Sequence, residues 1–161
     1  MQVKFKLHAR IRPTVRERTM GGAALSGLLF VEVNGLYFPA ENWGDYVLPV
    51  LGWWLENAIK LNFPDSEVKN IFMDGSYSFR LCRGVDSDTV RLTLYQDDMA
   101  MPGEYAISYP RLLAEHRGAA KSVLNEIRSA GLCGGLDGSI LKERLEHLIR
   151  LENDIKAHGL R

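Results

Sequence analysis

The sequence predicts an α+β fold in which an antiparallel β-meander sheet packs on one amphipathic helix and a helical hairpin closes the C-terminus. Three observations predict it. Residues 3–12 alternate apolar and charged side chains, residues 47–58 carry an apolar stripe at helical spacing, and residues 77–107 hold short alternating runs separated by turn residues. A period of two marks a strand with one buried face, and 100° per residue marks a helix with one buried stripe. The 161 residues, 46% of them hydrophobic, suffice for one core, and no repeat or composition shift divides them. Residues 1–161 therefore read as a single domain.

Val3, Phe5, Leu7, Ala9 and Ile11 alternate with Lys4, Lys6, His8, Arg10 and Arg12, so the first strand has an apolar face and a cationic one. Pro13 ends it, and residues 14–27, with Gly21, Gly22 and Gly27, read as an irregular connection. Leu28 to Val33 form the next strand. Asn34-Gly35 suits a type I′ turn because both residues tolerate positive φ, and Leu36 to Phe38 return as a short strand.

The hub is the helix that follows. Val47, Val50, Leu51, Trp54, Leu55 and Ala58 recur at i, i+3, i+4, i+7, i+8 and i+11, which places them on one stripe. Asn42 is the expected N-cap, with Asp45 three residues later in a variant of the capping box. Pro49 either kinks this helix or sits in the first turn of a regular part beginning near Leu48.

Phe63-Pro64-Asp65-Ser66 breaks the helical pattern, and Asn70 to Met73 read as a strand turned at Asp74-Gly75. Tyr77, Phe79 and Leu81, then Val90, Leu92 and Leu94, then Tyr105 and Ile107 continue a meander whose turns fall at residues 84–88 and 97–103. Short connections make these strands antiparallel. Ser108 or Tyr109 before Pro110 opens a second helix with Leu112, Leu113, His116, Ala120, Val123, Leu124 and Ile127 on its stripe, ending at Gly131. Asp137 or Ser139 is the expected cap of a third helix, with Leu141, Leu145, Leu148 and Ile155 apolar, ending at Gly159.

Composition excludes several classes. With 20 Lys+Arg against 20 Asp+Glu, no global field draws the chain to nucleic acid or membrane. The N-terminus lacks the apolar segment of a secretory signal, and the longest nearly apolar run, Tyr46 to Leu55, is too short to span a bilayer; a cytoplasmic location is expected. Cys82 and Cys133 have no CxxC partner, so neither a disulfide nor a zinc site is implied. The glycine clusters match neither a dinucleotide fingerprint nor a P-loop. His8, His116, His147 and His158 are scattered, and Glu143 with His147 reads as a solvated i,i+4 pair. Asp86 with Asp88 and Asp97 with Asp98 lack the spacing of a calcium loop. No catalytic residue, metal ligand or cofactor is predicted.

Charge is distributed unevenly. The first 18 residues hold six cations against Glu17, whereas Glu32 to Glu104 hold 12 acidic and 5 basic residues. Lys4, Lys6, Arg10, Arg12, Arg80 and Arg91 fall on the outward side of their strands; Asp74, Asp86, Asp88, Asp97, Asp98 and Glu104 fall in loops. This pattern suits either a solvated sheet with cross-strand pairs or a partner surface. The cationic face lacks interleaved aromatics apart from Tyr95, so a protein partner is favoured over nucleic acid. Trp53 points away from the buried stripe, on the side of Tyr46, Pro49 and Lys60, and is either an interface anchor or covered by the C-terminal hairpin. The candidates for partner binding are Trp53, Asp74, Asp86, Asp88, Asp97, Asp98 and Glu104.

The segments VNGLYFPAENWGDYVLPVLGWWLENAI and YAISYPRLLAEHRGAAKSVLNEIRSAG, with a strand meander between them, resemble small α+β immunity proteins of bacterial polymorphic-toxin and contact-dependent growth inhibition systems. The resemblance covers about 100 residues in style and element order. It implies a cytoplasmic, cofactor-free, non-catalytic protein that binds one cognate toxin domain, such as a nuclease, and blocks its active site or assembly. Binding residues vary within that family, so none is carried over. Two alternatives stand beside it: a small enzyme with a cleft lined by His116, Glu115 or the carboxylate pairs, and an RNA-binding or scaffold module using the cationic strand face. Homo-oligomerisation is left open.

Overall fold

A computed structural model describes residues 3–14, 17 and 25–160. Nine strands and three helices lie among them: β1 (Phe5–Ile11), β2 (Ser26–Val33), β3 (Leu36–Phe38), β4 (Gly44–Tyr46), α1 (Val47–Lys60), β5 (Ser66–Ile71), β6 (Tyr77–Arg83), β7 (Thr89–Gln96), β8 (Met99–Ala100), β9 (Tyr105–Ser108), α2 (Tyr109–Ser129) and α3 (Gly135–His158). The fold is α+β and both of its sheets are antiparallel, as the short connections require. Most of the connection read over residues 14–27 lies outside the described residues, although Ser26 and Gly27 already belong to β2.

The strands divide into two sheets. In the first, β1 pairs with β2, which pairs in turn with β3 and β4; in the second, β5-β6-β7 runs in order and β7 also pairs with β8 and β9. The cations placed together by strand alternation are thereby separated: Lys6 and Arg10 face outward on the first sheet, Arg80 and Arg91 on the second. Asn34 and Gly35 take φ of 50° and 83°, as a type I′ turn demands. β5 starts four residues earlier than the Asn70–Met73 reading and ends two earlier, because pairing with β6 from Ser66↔Arg83 to Ile71↔Ser78 extends it.

α1 lies between the sheets and the other helices. All six residues of its predicted stripe are buried, with Leu48 and Gly52 added where α3 crosses. The Trp54 indole stands edge-on to Phe72 and Phe79, at 4.9 and 5.0 Å between centroids, and its Nε1 donates to the Ile71 carbonyl. At the C-terminal end of α1, the buried Arg83 donates from Nη1 to the carbonyls of Leu61 and Asn62 and lies 4.8 Å over the Tyr109 ring. A cation there satisfies orphan carbonyls and complements the helix dipole.

Three helix boundaries differ from expectation or resolve it. The Asn42–Asp45 capping box does not form. Residues 44–46 pair with β2 instead, α1 begins at Val47 without a side-chain cap, and Asn42 is left-handed at φ 59°. Pro49 falls in the first turn of α1, where its missing N–H costs no helical bond. α3 begins at Gly135, ahead of Asp137 and Ser139, and neither caps it; Asp137 sits in the first turn and Ser139 donates back to the Gly135 carbonyl. α2 starts as read, with the Ser108 hydroxyl accepting the Arg111 N–H and Pro110 in the first turn.

β1 is an edge strand, and α2 runs along it. The Leu7 N–H donates to the Glu115 carboxylate at 3.1 Å and the Ile11 N–H to Glu126 at 3.3 Å. Side-chain acceptors thus occupy donors that an open edge would offer to another strand. α3 packs against both α1 and α2, and Arg117 of α2 meets Glu152 of α3 at 2.8 Å.

Candidate functional site

Trp53 is 37% exposed. α3 packs on the flank of α1 next to Trp53: Arg144 pairs with Glu56, about 60° around the helix from Trp53, at 2.8 Å, and its guanidinium sits 3.3 Å from where a Gly52 side chain would begin. The side that carries Trp53 faces the free edge of β5. Trp54 donates to the Ile71 carbonyl there and Asn57, one turn after Trp53, donates to the Lys69 carbonyl. Trp53 thus stands between α3 on one flank and the β5 edge on the other, in part open to solvent.

Three predicted acids share that end of the molecule. β5 runs into the turn that carries Asp74, and β7 runs into the Asp97-Asp98 turn beside it, since the Asp97 N–H donates to the Ser76 carbonyl. Asp97 and Asp98 have φ of 52° and 59°, the conformation of a tight hairpin turn, which Asp tolerates better than most residues. The local backbone thus accounts for Asp at both places and also holds both carboxylates in solvent. Asp98 meets Lys69 of β5 at 3.1 Å; among the described residues no other cation comes within ion-pair range of Asp74, Asp97 or Asp98.

Asp45 positions the Asp74 turn. Pairing of β4 with β2 brings its carboxylate under the chain at residues 73–74, where it accepts the N–H groups of Met73 and Asp74 as well as that of Tyr46. Burial pushes the Asp45 pKa up, against the pull of those three donors. Tyr46, Met73 and Asp74 consequently line one hollow of about 530 Å³.

Exposed apolar side chains occur at the same end as these acids. Tyr46, Ile71 and Met73 are exposed, and Met99 beside the Asp97-Asp98 turn is 74% exposed. Tyr46 and Met73 line one hollow with Asp74, Ile71 ends β5 on the outer face of its sheet, and Met99 lies in β8 beyond β7. The sequence reading placed Tyr46 on the side of Trp53 and did not single out the other three. Ile71 could have been found from alternation, because it faces away from the core that Val68 and Asn70 enter; Met73 lies in a turn and Met99 in the two-residue β8, where no periodicity can be read.

The remaining candidates lie elsewhere. Asp86 and Asp88 occupy the opposite end of the second sheet, about 20 Å away by strand length. The Asp88 carbonyl accepts the Tyr109 N–H that starts α2. Glu104 precedes β9 and pairs across the sheet with Arg91 at 3.7 Å. These three do not join the Trp53 surface.

The groups that would mark an enzyme do not converge. His116 is fully buried, with Nδ1 against the Leu112 carbonyl, and Glu115 is engaged by the Leu7 N–H and by Arg111 at 3.0 Å. Among the described residues no group of three or more His, Cys, Asp or Glu is placed to hold a metal ion, and no helix is long and apolar enough to cross a membrane. Comparison with family models, with curated proteins and with solved structures finds no match to this chain.

Proposed function

We propose that the chain is a cytoplasmic immunity protein that binds and neutralises a cognate bacterial toxin domain through the surface built on Trp53, without catalysing a reaction. One observation carries this reading: Trp53, Tyr46, Ile71, Met73 and Met99 are exposed at the same end as Asp74, Asp97 and Asp98. Exposed apolar side chains grouped within a polar rim mark interaction sites on soluble proteins. A tryptophan at such a centre supplies residence, and acids around it steer a cationic partner and speed encounter. A nuclease toxin, whose substrate cleft must attract phosphates, offers that complement.

The test is neutralisation in cells. The product of the neighbouring gene, as the proposed toxin, is expressed with it. Growth is expected to be restored by the wild type and lost again with Trp53→Ala combined with Asp97→Asn and Asp98→Gly. Absence of rescue by the wild type, with no complex between the purified proteins, would overturn the proposal.

A further inference from the structure

The outer face of the first sheet carries a constellation that the Trp53 surface does not use. Strand register brings aromatics from β2 and β3 beside the cationic row of β1: His8 lies opposite Phe30, and Glu32 opposite Tyr37. The His8 ring stacks on Phe30 at 4.6 Å between centroids and 9° between planes, and Tyr37 meets both rings edge-on. Glu32 holds His8 by Nε2 at 2.8 Å, and the His8 side chain, stacked on Phe30, is 37% exposed. The aromatics missing from the β1 sequence are supplied by its neighbours.

The cations beside this stack are available. Lys6, Arg10 and Arg12 are exposed, and among the described residues no carboxylate lies within ion-pair range of them. Alternate residues of a strand stand about 6.8 Å apart, close to the repeat of phosphates along an extended single strand. His8, Arg10 and Arg12 line a hollow of about 360 Å³ with Asn42 and Ser122 at its sides. Small residues of α2 make the room: a side chain at Gly118 would meet nothing within 4 Å. Lys4, Lys6 and Arg111 line a second hollow of about 450 Å³ farther along β1. The carboxylates on this side, Glu32 and Glu115, are engaged by His8 and by the Leu7 N–H with Arg111.

We infer that this face binds single-stranded nucleic acid, with an unpaired base stacked on His8 and successive phosphates held by Arg10, Arg12 and Lys6. A row of cations alone would suit any polyanion. The partly exposed ring within the row favours a ligand with planar bases, because stacking on an aromatic is worth a separate increment per base and needs the base unpaired. This site is distinct from the Trp53 surface and stands or falls independently of the toxin partner.

Fluorescence anisotropy of the full chain with a fluorescein-labelled oligouridylate, titrated with KCl, tests the inference. The wild type is expected to bind at low salt, with log K falling linearly in log salt. Arg10→Gln with Arg12→Gln should weaken binding and reduce the slope by about 1.4, the share of two phosphate contacts on a single strand. His8→Ala should weaken binding about fivefold or more with the slope unchanged, and His8→Phe should restore it. Lys6→Gln, at an exposed position, gives a folded control for the charge effect, and Asp97→Asn with Asp98→Gly should change nothing. Failure of the wild type to bind, indifference to all these variants, or equal competition by duplex DNA or polyglutamate would overturn the inference.

Discussion

The Asp45 carboxylate accepts the Met73 N–H at 3.1 Å, joining the last strand of the first sheet to the turn between β5 and β6 of the second. The same oxygen takes the Asp74 N–H at 3.3 Å. Met73 and Asp74 thus owe their placement to a residue 28 and 29 positions away in the chain. Asp45→Ala would leave three backbone donors without their acceptor at a half-buried place, at a cost of about 1–3 kcal/mol. Urea unfolding should show that loss, and hydrogen exchange at Met73 and Asp74 should accelerate while exchange in β7 holds.

His116 makes stability depend on pH. Its ring is fully buried, and burial lowers its pKa from 6.5 to about 4. Between those values the unfolded chain binds a proton that the folded chain refuses, so acidification favours unfolding. The stability associated with the neutral ring is complete above pH 6.5 and is lost as pH falls toward 4, by about 3 kcal/mol. Urea unfolding of the wild type and of His116→Leu across this range should show the wild type falling more steeply; parallel curves would contradict the assignment.

Glu115 and Glu126 protect the β1 edge by accepting the Leu7 and Ile11 N–H groups. Replacing both by Ala should uncover those donors and permit strand addition by a second copy. Sedimentation velocity is expected to show concentration-dependent association of the double variant and a single species for the wild type. Glu115→Gln, which keeps an acceptor oxygen, should behave as the wild type does.

Much of this fold is legible in the sequence, because burial imprints period two on β1, β6 and β7 and the helical stripe on α1. The Asn34-Gly35 turn is legible for a similar reason: its backbone requirement is local. Asp45 shows where legibility ends. Its spacing from Asn42 suits a helix cap, yet pairing of residues 44–46 with β2 claims that segment, and the carboxylate serves a distant turn. The candidate site divides along the same line. Trp53 is identifiable from its angle on α1, and the acids from their turns. Which acids share an end depends on strand order, and this separates Asp74, Asp97 and Asp98 from Asp86, Asp88 and Glu104. The stack of His8 on Phe30 is likewise a product of register between strands, invisible to a reading that follows one strand at a time.

Isothermal titration of the purified chain with the product of the neighbouring gene, the proposed toxin partner, tests the central claim most directly. Asp97→Asn with Asp98→Gly removes two charges while keeping residues that accept the turn's positive φ, so any change reports charge and leaves the hairpin intact. The account predicts an equimolar complex whose affinity falls about tenfold or more with Trp53→Ala. The paired turn variant should weaken it further at low salt and much less at high salt. A complex whose affinity is unchanged by both variants, or no heat of binding from the wild type, would contradict it.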